Sequence, residues 1–453
     1  MHVACLVTLA GAALAQTDSA VSIPPLTPDM WIRLSVLQFM EFAIWGAWWV
    51  VLGQYLEGLH FTRKGIGNVY ATMSLGSIIA PMFVGAIADR YFAGEHVMAA
   101  LQLTGAALLF WLAHITHQRF FYWVMLVYAL LFAPTISFVN PLTLAHIPEA
   151  DRADVFPLIR LWGTIGWIAA NLFLKLLLKP GQPVSNRPIL LAATLSLVMG
   201  IFSFWLPHTP PSPDSEALPF VEALSLLKEP SIAIFFGVAL LVAMAASFYF
   251  GFVAIFLEKK VGVRSDNVGP LTTIGQWVEL GAMFMVGWSL NHFGMKWVLA
   301  IGMAAWGLRF GFFSLGKPFA LVLLGVALHG FCFDFFFVAS FIHVANTAPQ
   351  SIINSGQTLF GMLTYGVGMY LGTEASGWLN QRLTREVVDP ATGVADRVTD
   401  WRTFWLIPAV TILISVVLFV LLFSNSASKH DVDATIGAAA SQTDFHMLPV
   451  AGA

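Results

Sequence analysis

The chain has 453 residues, of which 58% are hydrophobic and 10% charged, with a net charge of −3. Soluble domains carry roughly 25% charged residues, so a soluble globular protein is excluded. No basic cluster offers a nucleic-acid surface. Two cysteines, Cys5 and Cys332, are too few for a disulfide framework and lack metal-ligand spacing, so no metal or cofactor is implied.

Residues 1–29 open the chain. Their first part, MHVACLVTLAGAALAQTDSA, has the short apolar core and small-residue end of a signal peptide, but its leading part carries only His2. It reads either as a tail or as a signal-like segment. A spanning helix needs about 20 mostly apolar residues. Twelve such runs follow, the first six being Met30–Leu52, Ile66–Ala88, His96–Thr116, Phe120–Leu144, Phe156–Leu178 and Pro188–Leu206. A segment rich in Pro, Ser and acids, 207–230, reads as a linker. The second six are Ile232–Leu257, Val268–Leu290, Trp297–Leu315, Phe319–Val344, Ile353–Leu379 and Trp401–Phe423. The tail 425–453 is polar, rich in small residues and expected to be disordered. The runs are too long and too continuous for the alternating strands of a membrane barrel.

The predicted fold is therefore an all-α integral membrane protein of twelve transmembrane helices, with bundles at 30–206 and 231–424. A weak internal echo supports two related halves. GAIADRYF from Gly85 and GWSLNHFG from Gly287 lie 202 residues apart, each at the end of the second run of its half. Repeated halves around a midplane site are a common transporter plan.

Several runs keep ionisable residues inside them: Arg160 in FPLIRLWGTIGW, Glu279 in TTIGQWVELGAMF and Asp334 in LHGFCFDFFFVAS. A charge at the bilayer centre costs at least ~2.5 kcal/mol, and such residues as a rule face a cavity or a partner. That points to a polar pathway, hence transport. Arg160, Thr164 and Trp167, at i, i+4 and i+7, share one helix face. They suit a flat polar solute, or Arg160 braces against a carboxylate. Gln276 and Glu279, at i and i+3, share another face. They read hydroxyls and ring nitrogens, or pair internally with Arg160 or Arg309. His329 and Phe333 are one turn apart, with Asp334 turned further round. A carboxylate in an apolar run suits reversible protonation, which makes Asp334 a proton-coupling candidate; the alternative is a structural aspartate. His329 relays a proton, binds substrate or is a satisfied core residue. Glu41 shares a face with Trp45 and Trp48 and is a second proton candidate or an arginine's partner. Arg309 reads as a brace, and Asp89 with Arg90, in a tight turn, as a gating or bracing pair. The chain has no phosphate loop, HExxH or G-x-S-x-G, so no enzyme activity is expected.

These motifs carry a resemblance. LSVLQFMEFAIWGAWWVVLGQYL, GNVYATMSLGSIIAPMFVGAIADRYF, FPLIRLWGTIGWI, AWGLRFGFFSLG and LHGFCFDFFFVASFIHV resemble the nucleoside:proton symporter family of the major facilitator superfamily, from about Trp31 to Phe423. The resemblance implies two six-helix bundles around a cavity that opens alternately to each side. It implies import of a nucleoside-like solute with protons by a monomer. It also implies a multi-pass protein of the cytoplasmic membrane, with both ends cytoplasmic and the lipid bilayer as its surroundings. Arg160, Thr164 and Trp167 match the family's fifth-helix binding face. Gln276 and Glu279 match its eighth-helix pair, Phe333 a stacking aromatic and Asp334 the coupling carboxylate. Three places depart. Ser247 and Phe250 stand where the seventh helix has amides, His329 replaces an aromatic hydroxyl, and Glu41 stands where an uncharged amide can occur. A carrier for a sugar or nucleobase derivative is the nearest alternative, and a non-transporting receptor a more distant one. The loop charges run against the implied orientation: Arg63, Lys64, Lys259, Lys260, Arg382, Arg385 and Arg397 fall on the outer side, against the positive-inside bias.

Overall fold

In hydrocarbon every backbone N–H and C=O must be satisfied internally, which long apolar runs achieve as helices. The computed structural model, which describes residues 26–80, 91–148, 152–211, 223–349, 353–388 and 395–423, is helical almost throughout. The first half holds α1 (Pro28–Trp48), α2 (Leu52–Gly58), α3 (Arg63–Ala80), α4 (Gly94–Leu112), α5 (Gln118–Ala145), α6 (Arg152–Leu177) and α7 (Arg187–Phe202). The second holds α8 (Pro230–Phe256), α9 (Ser265–Leu315), α10 (Phe319–Ala327), α11 (His329–Cys332), α12 (Ala339–Thr347), α13 (Ile353–Gly361), α14 (Met369–Leu383) and α15 (Trp401–Leu422). Thr27 caps α1 by accepting from Met30 N at 3.3 Å, with Pro28 at the first helical position. Asp400 caps α15 through Thr403 N and Oγ1, and the Thr403 hydroxyl chiefly holds its carboxyl below its ordinary range.

Eight described helical segments are long and apolar enough to cross a membrane. One of them, α9, has 51 residues, a length of about 76 Å at helical rise, more than twice the hydrocarbon thickness. It is two helices joined at Gly294, whose φ of 75° and ψ of 166° only glycine adopts readily. The remaining crossings, α3, α6 and 353–383, are less apolar. The packing explains this: α3 lies on α14 and α6 on α9, so these helices face the opposite half of the chain as well as lipid.

Within the first half α1 packs on α6 and α7, and α5 on α3 and α4. Within the second, α9 packs on α10, α11 and α15, and α8 on α14 and α15. Among the described residues three crossings contain π-helical turns, at Leu257–Val261, Phe333–Val338 and Met362–Gly368. A two-stranded antiparallel hairpin, β1 (Thr384–Val388) and β2 (Ala395–Thr399), joins the last two crossings, with Thr384 opposite Thr399. The sequence shows no such hairpin, because five-residue strands give too short an alternation to read.

The hydrogen bonds that cross between the halves gather at the hairpin end. Gln54 donates to Glu258, Lys64 N to Gln381 Oε1 at 3.2 Å, Gly181 N to Asp266 Oδ1 at 3.3 Å, Ser265 Oγ to Gln182 O at 2.5 Å and Arg397 Nη1 to Phe61 O at 2.8 Å. At the other end, ties among the described residues stay within a half, as in Arg33 to Trp205 O at 2.7 Å and Lys296 to Phe423 O at 2.8 Å.

Candidate functional site

The site grows from α6 and α1. The Arg160 guanidinium lies over the Phe42 ring, 4.1 Å from its centroid. A Cβ at position 163, now glycine, would stand 2.6 Å from Arg160 Nη1, so Gly163 makes the room. Among the described residues Arg160 has no hydrogen-bond or ion-pair partner. Its charge rests on an aromatic face, and Glu279 acts on it electrostatically from the opposite wall. Thr164 lies one turn on, half-buried. Trp167 then meets Trp45 edge-on at 5.5 Å, Trp45 meets Trp49 at 5.7 Å, and Trp49 meets Phe250 of α8 at 6.2 Å. This aromatic chain crosses from the first half to the second.

The opposing wall is α9 with α11. Gly330 lets the two backbones touch, since a Cβ there would stand 2.5 Å from Glu279 N. The close approach sets His329 beside Glu279, with Nε2 and Oε2 3.8 Å apart. Glu279 is near enough to act electrostatically on both Arg160 and Asp334. Gln276, on the same face, has a buried Oε1 with no partner among the described residues. Phe333 follows His329 with ring centroids 5.9 Å apart, and continues through Phe337 to Tyr365. Asp334 sits in the π-helical turn that opens at Phe333. It is fully buried, and neither carboxylate oxygen finds a donor among the described residues.

The structure therefore brings Arg160, Thr164 and Trp167 opposite Gln276, Glu279, His329, Phe333 and Asp334, with Phe250 on the seam. It does not bring Ser247 or Glu41 to the group. The Ser247 hydroxyl donates to Met244 O at 2.7 Å and is buried against Gly372. Glu41 is enclosed in the first half, where Oε2 accepts from Gln102 at 2.8 Å and Oε1 from Thr135 at 2.6 Å. Gln102 in turn accepts from Ser196 at 2.5 Å, so the network ties α1, α4, α5 and α7. Glu41's partners are an amide and a hydroxyl, not an arginine. Asp89 and Arg90 lie outside the described residues. Arg309 is fully buried and donates from Nη1 to His329 Nδ1 at 2.9 Å. Sequence reasoning passed over Phe42, Tyr249, Tyr365 and Trp49. In a chain with 38 Phe and 16 Trp no aromatic stands out by type alone.

Residues 29–428 match the nucleoside H+ symporter family. The chain belongs to that family. The symporter is 34% identical over 410 residues to the putative nucleoside transporter YegT of Escherichia coli K12, covering 88% of this chain and 94% of that one. It is 33% identical over 419 residues to the xanthosine permease of the same organism, covering 88% and 96%. The crystal structure of the nucleoside transporter NupG superposes with a TM-score of 0.76 at 28% identity, covering 88% of the symporter and all of NupG. The symporter is a membrane protein that couples nucleoside import to protons, not an enzyme. Its fold is the all-helical architecture of major facilitator transporters, as the resemblance implied.

Proposed function

We propose that the symporter carries nucleosides inward across the cytoplasmic membrane of a bacterium, as a monomer whose surroundings are lipid. Arg160, Thr164, Trp167, Phe250, Gln276, Glu279, His329 and Phe333 hold the substrate, and Asp334 carries the coupling proton. In this reading six-helix bundles at 30–206 and 231–424 rock about the site.

One observation carries the reading. Asp334 is fully buried without a donor among the described residues, within electrostatic reach of a second carboxylate, that of Glu279. An unpaired buried carboxylate is costly, and a neighbouring negative charge raises the cost. Taking up a proton removes that cost and frees the substrate-loaded bundle to reorient. Linkage requires that the proton favour the substrate-bound state and that substrate favour protonation equally.

The test is uptake of labelled uridine, adenosine and xanthosine into proteoliposomes, with and without an inward proton gradient. The wild type accumulates substrate only with the gradient. Asp334→Asn, which is permanently neutral, loses accumulation yet exchanges internal for external substrate. If Asp334→Asn still accumulates substrate in response to the gradient as the wild type does, the coupling role is wrong.

A further inference from the structure

Arg309 is a buried cation without a counterion. It lies in the second leg of α9, and no carboxylate comes within ion-pair distance of it among the described residues. Its guanidinium is held by aromatic faces instead. Cζ stands 3.4 Å from the ring centroid of Tyr249, 5.1 Å from that of Trp306 and 5.7 Å from that of Phe313. Its hydrogen bond runs to His329 Nδ1, at 2.9 Å.

The chemistry of that bond is one-sided. A guanidinium offers only donors, so His329 Nδ1 must be the acceptor. A ring whose Nδ1 accepts carries its single proton on Nε2 and is neutral. Nε2 is the nitrogen that faces Glu279, at 3.8 Å from Oε2. That is too long for a direct hydrogen bond, and a spacing that a substrate hydroxyl bridges, accepting from Nε2–H and donating to the carboxylate. The charged and titratable groups around the ring are Arg309 and Glu279 from the two legs of α9 and Tyr249 from α8, stacked at 5.8 Å. Cys332 lies against Arg309. The one group placed to favour an imidazolium is Glu279, and it is further from the ring than the guanidinium.

We propose that Arg309 is a positioning residue that holds His329 as a neutral Nε2–H donor beside Glu279, giving the substrate a fixed donor–acceptor pair. The coupling proton is then carried elsewhere than on His329. The proposal rests on the substrate site described above, and deepens it by naming what sets the form of one of its groups.

The experiment is nitrogen-15 NMR of histidine-labelled symporter in lipid bilayers, with the His329 signals identified by their loss in His329→Gln. The expected wild-type spectrum shows a neutral Nε2–H ring from about pH 5 to about pH 8, a range in which an ordinary histidine titrates. Arg309→Met, which keeps the volume and removes the cation, lets the ring titrate or mix tautomers. An imidazolium or an Nδ1–H ring in the wild type overturns the proposal, as does an unchanged His329 spectrum in Arg309→Met. The wild-type spectrum decides by itself if Arg309→Met does not fold.

Uptake supplies a second readout. Arg309→Met and His329→Leu each raise KM for uridine about 10-fold, the loss expected for one hydrogen bond to a polar substrate group, with a smaller effect on maximal rate. His329→Gln, whose amide accepts from Arg309 and donates toward Glu279, recovers most of that affinity. A His329→Gln variant as impaired as His329→Leu counts against the donor role. Because the spectrum is read without substrate, failure of the tautomer is distinguishable from failure of the nucleoside assignment, which would leave the spectrum intact and the uptake absent.

Discussion

At the scale of single residues, the site is a set of charges that the helices leave unmatched. Arg160 is the clearest. Its guanidinium lies flat on Phe42, with its donors free of partners among the described residues. A planar fork matched to a flat, polar solute is not reproduced by an ammonium, which offers three donors on a flexible stem. Arg160→Lys is therefore expected to keep the fold and the charge but to raise KM for uridine at least about 10-fold, as loss of one charge-assisted hydrogen bond would. Initial-rate uptake with melting temperature as control decides this; a KM like the wild type's would remove Arg160 from substrate contact. Arg160, Glu279 and Asp334 are legible in the sequence because a charge inside an apolar run has no cheap surroundings. Ser247 and Glu41 show the limit of that reasoning. Helix periodicity says which residues share a face, not whether the face meets a cavity or another helix. The serine meets Gly372 and the glutamate meets Gln102 and Thr135. Arg309 was legible as a brace, but its tie to a histidine rather than a carboxylate emerges only from the packing of the two legs of α9 on α11.

At the scale of elements, the irregular turns are the informative ones. The first crossing breaks between α1 and α2, at Trp49–Val51, where the aromatic chain passes to the second half. Two backbone groups near the break are satisfied by one side chain. Tyr70 of α3 accepts from Gly53 N at 3.0 Å and donates to Trp49 O at 2.9 Å, while its ring meets Trp49 edge-on at 5.0 Å. Leaving a buried backbone group unsatisfied costs about 1–3 kcal/mol. Tyr70→Phe keeps the ring and removes both bonds, so it is expected to lower thermal stability by that order and to loosen Trp49 against Phe250. A melting curve in detergent together with Trp fluorescence measures both, and an unshifted curve would mean that the break is held by other contacts. The sequence predicts one continuous run over Met30–Leu52 because nothing in IWGAWWVVLGQYL breaks a helix by composition. Likewise the π-helical turn under Asp334 turns that side chain beyond the face that simple 3.6-residue spacing assigns. The long apolar runs were readable since hydrophobic length is a property of the chain alone, and eight described segments carry it in the structure. The breaks depend on a partner helix and were not.

At the scale of the whole molecule, the halves are tied by polar bonds at the hairpin end, and alternating access requires those ties to be breakable. In the orientation proposed from the family resemblance this end faces away from the cytoplasm, against the Lys and Arg gathered there. Two of those cations are engaged in structure: Arg63 pairs with Glu57 and Arg397 donates to Phe61 O. Gln54 of α2 donates to Glu258, which lies in the π-helical turn Leu257–Val261 just beyond α8, directly across the seam. A hydrogen bond to a charged group contributes about 1.5–3 kcal/mol, so removing it shifts a balanced two-state equilibrium by about ten-fold or more toward the arrangement open at the hairpin end. Gln54→Ala, in a chain with spin labels at positions 60 and 260 and its two cysteines replaced, is expected to add a longer component to the label–label distance distribution, and nucleoside to redistribute it. A single unchanged distance in Gln54→Ala, with and without nucleoside, would mean that the hairpin end is a fixed joint and that opening is achieved without parting α2 from α8.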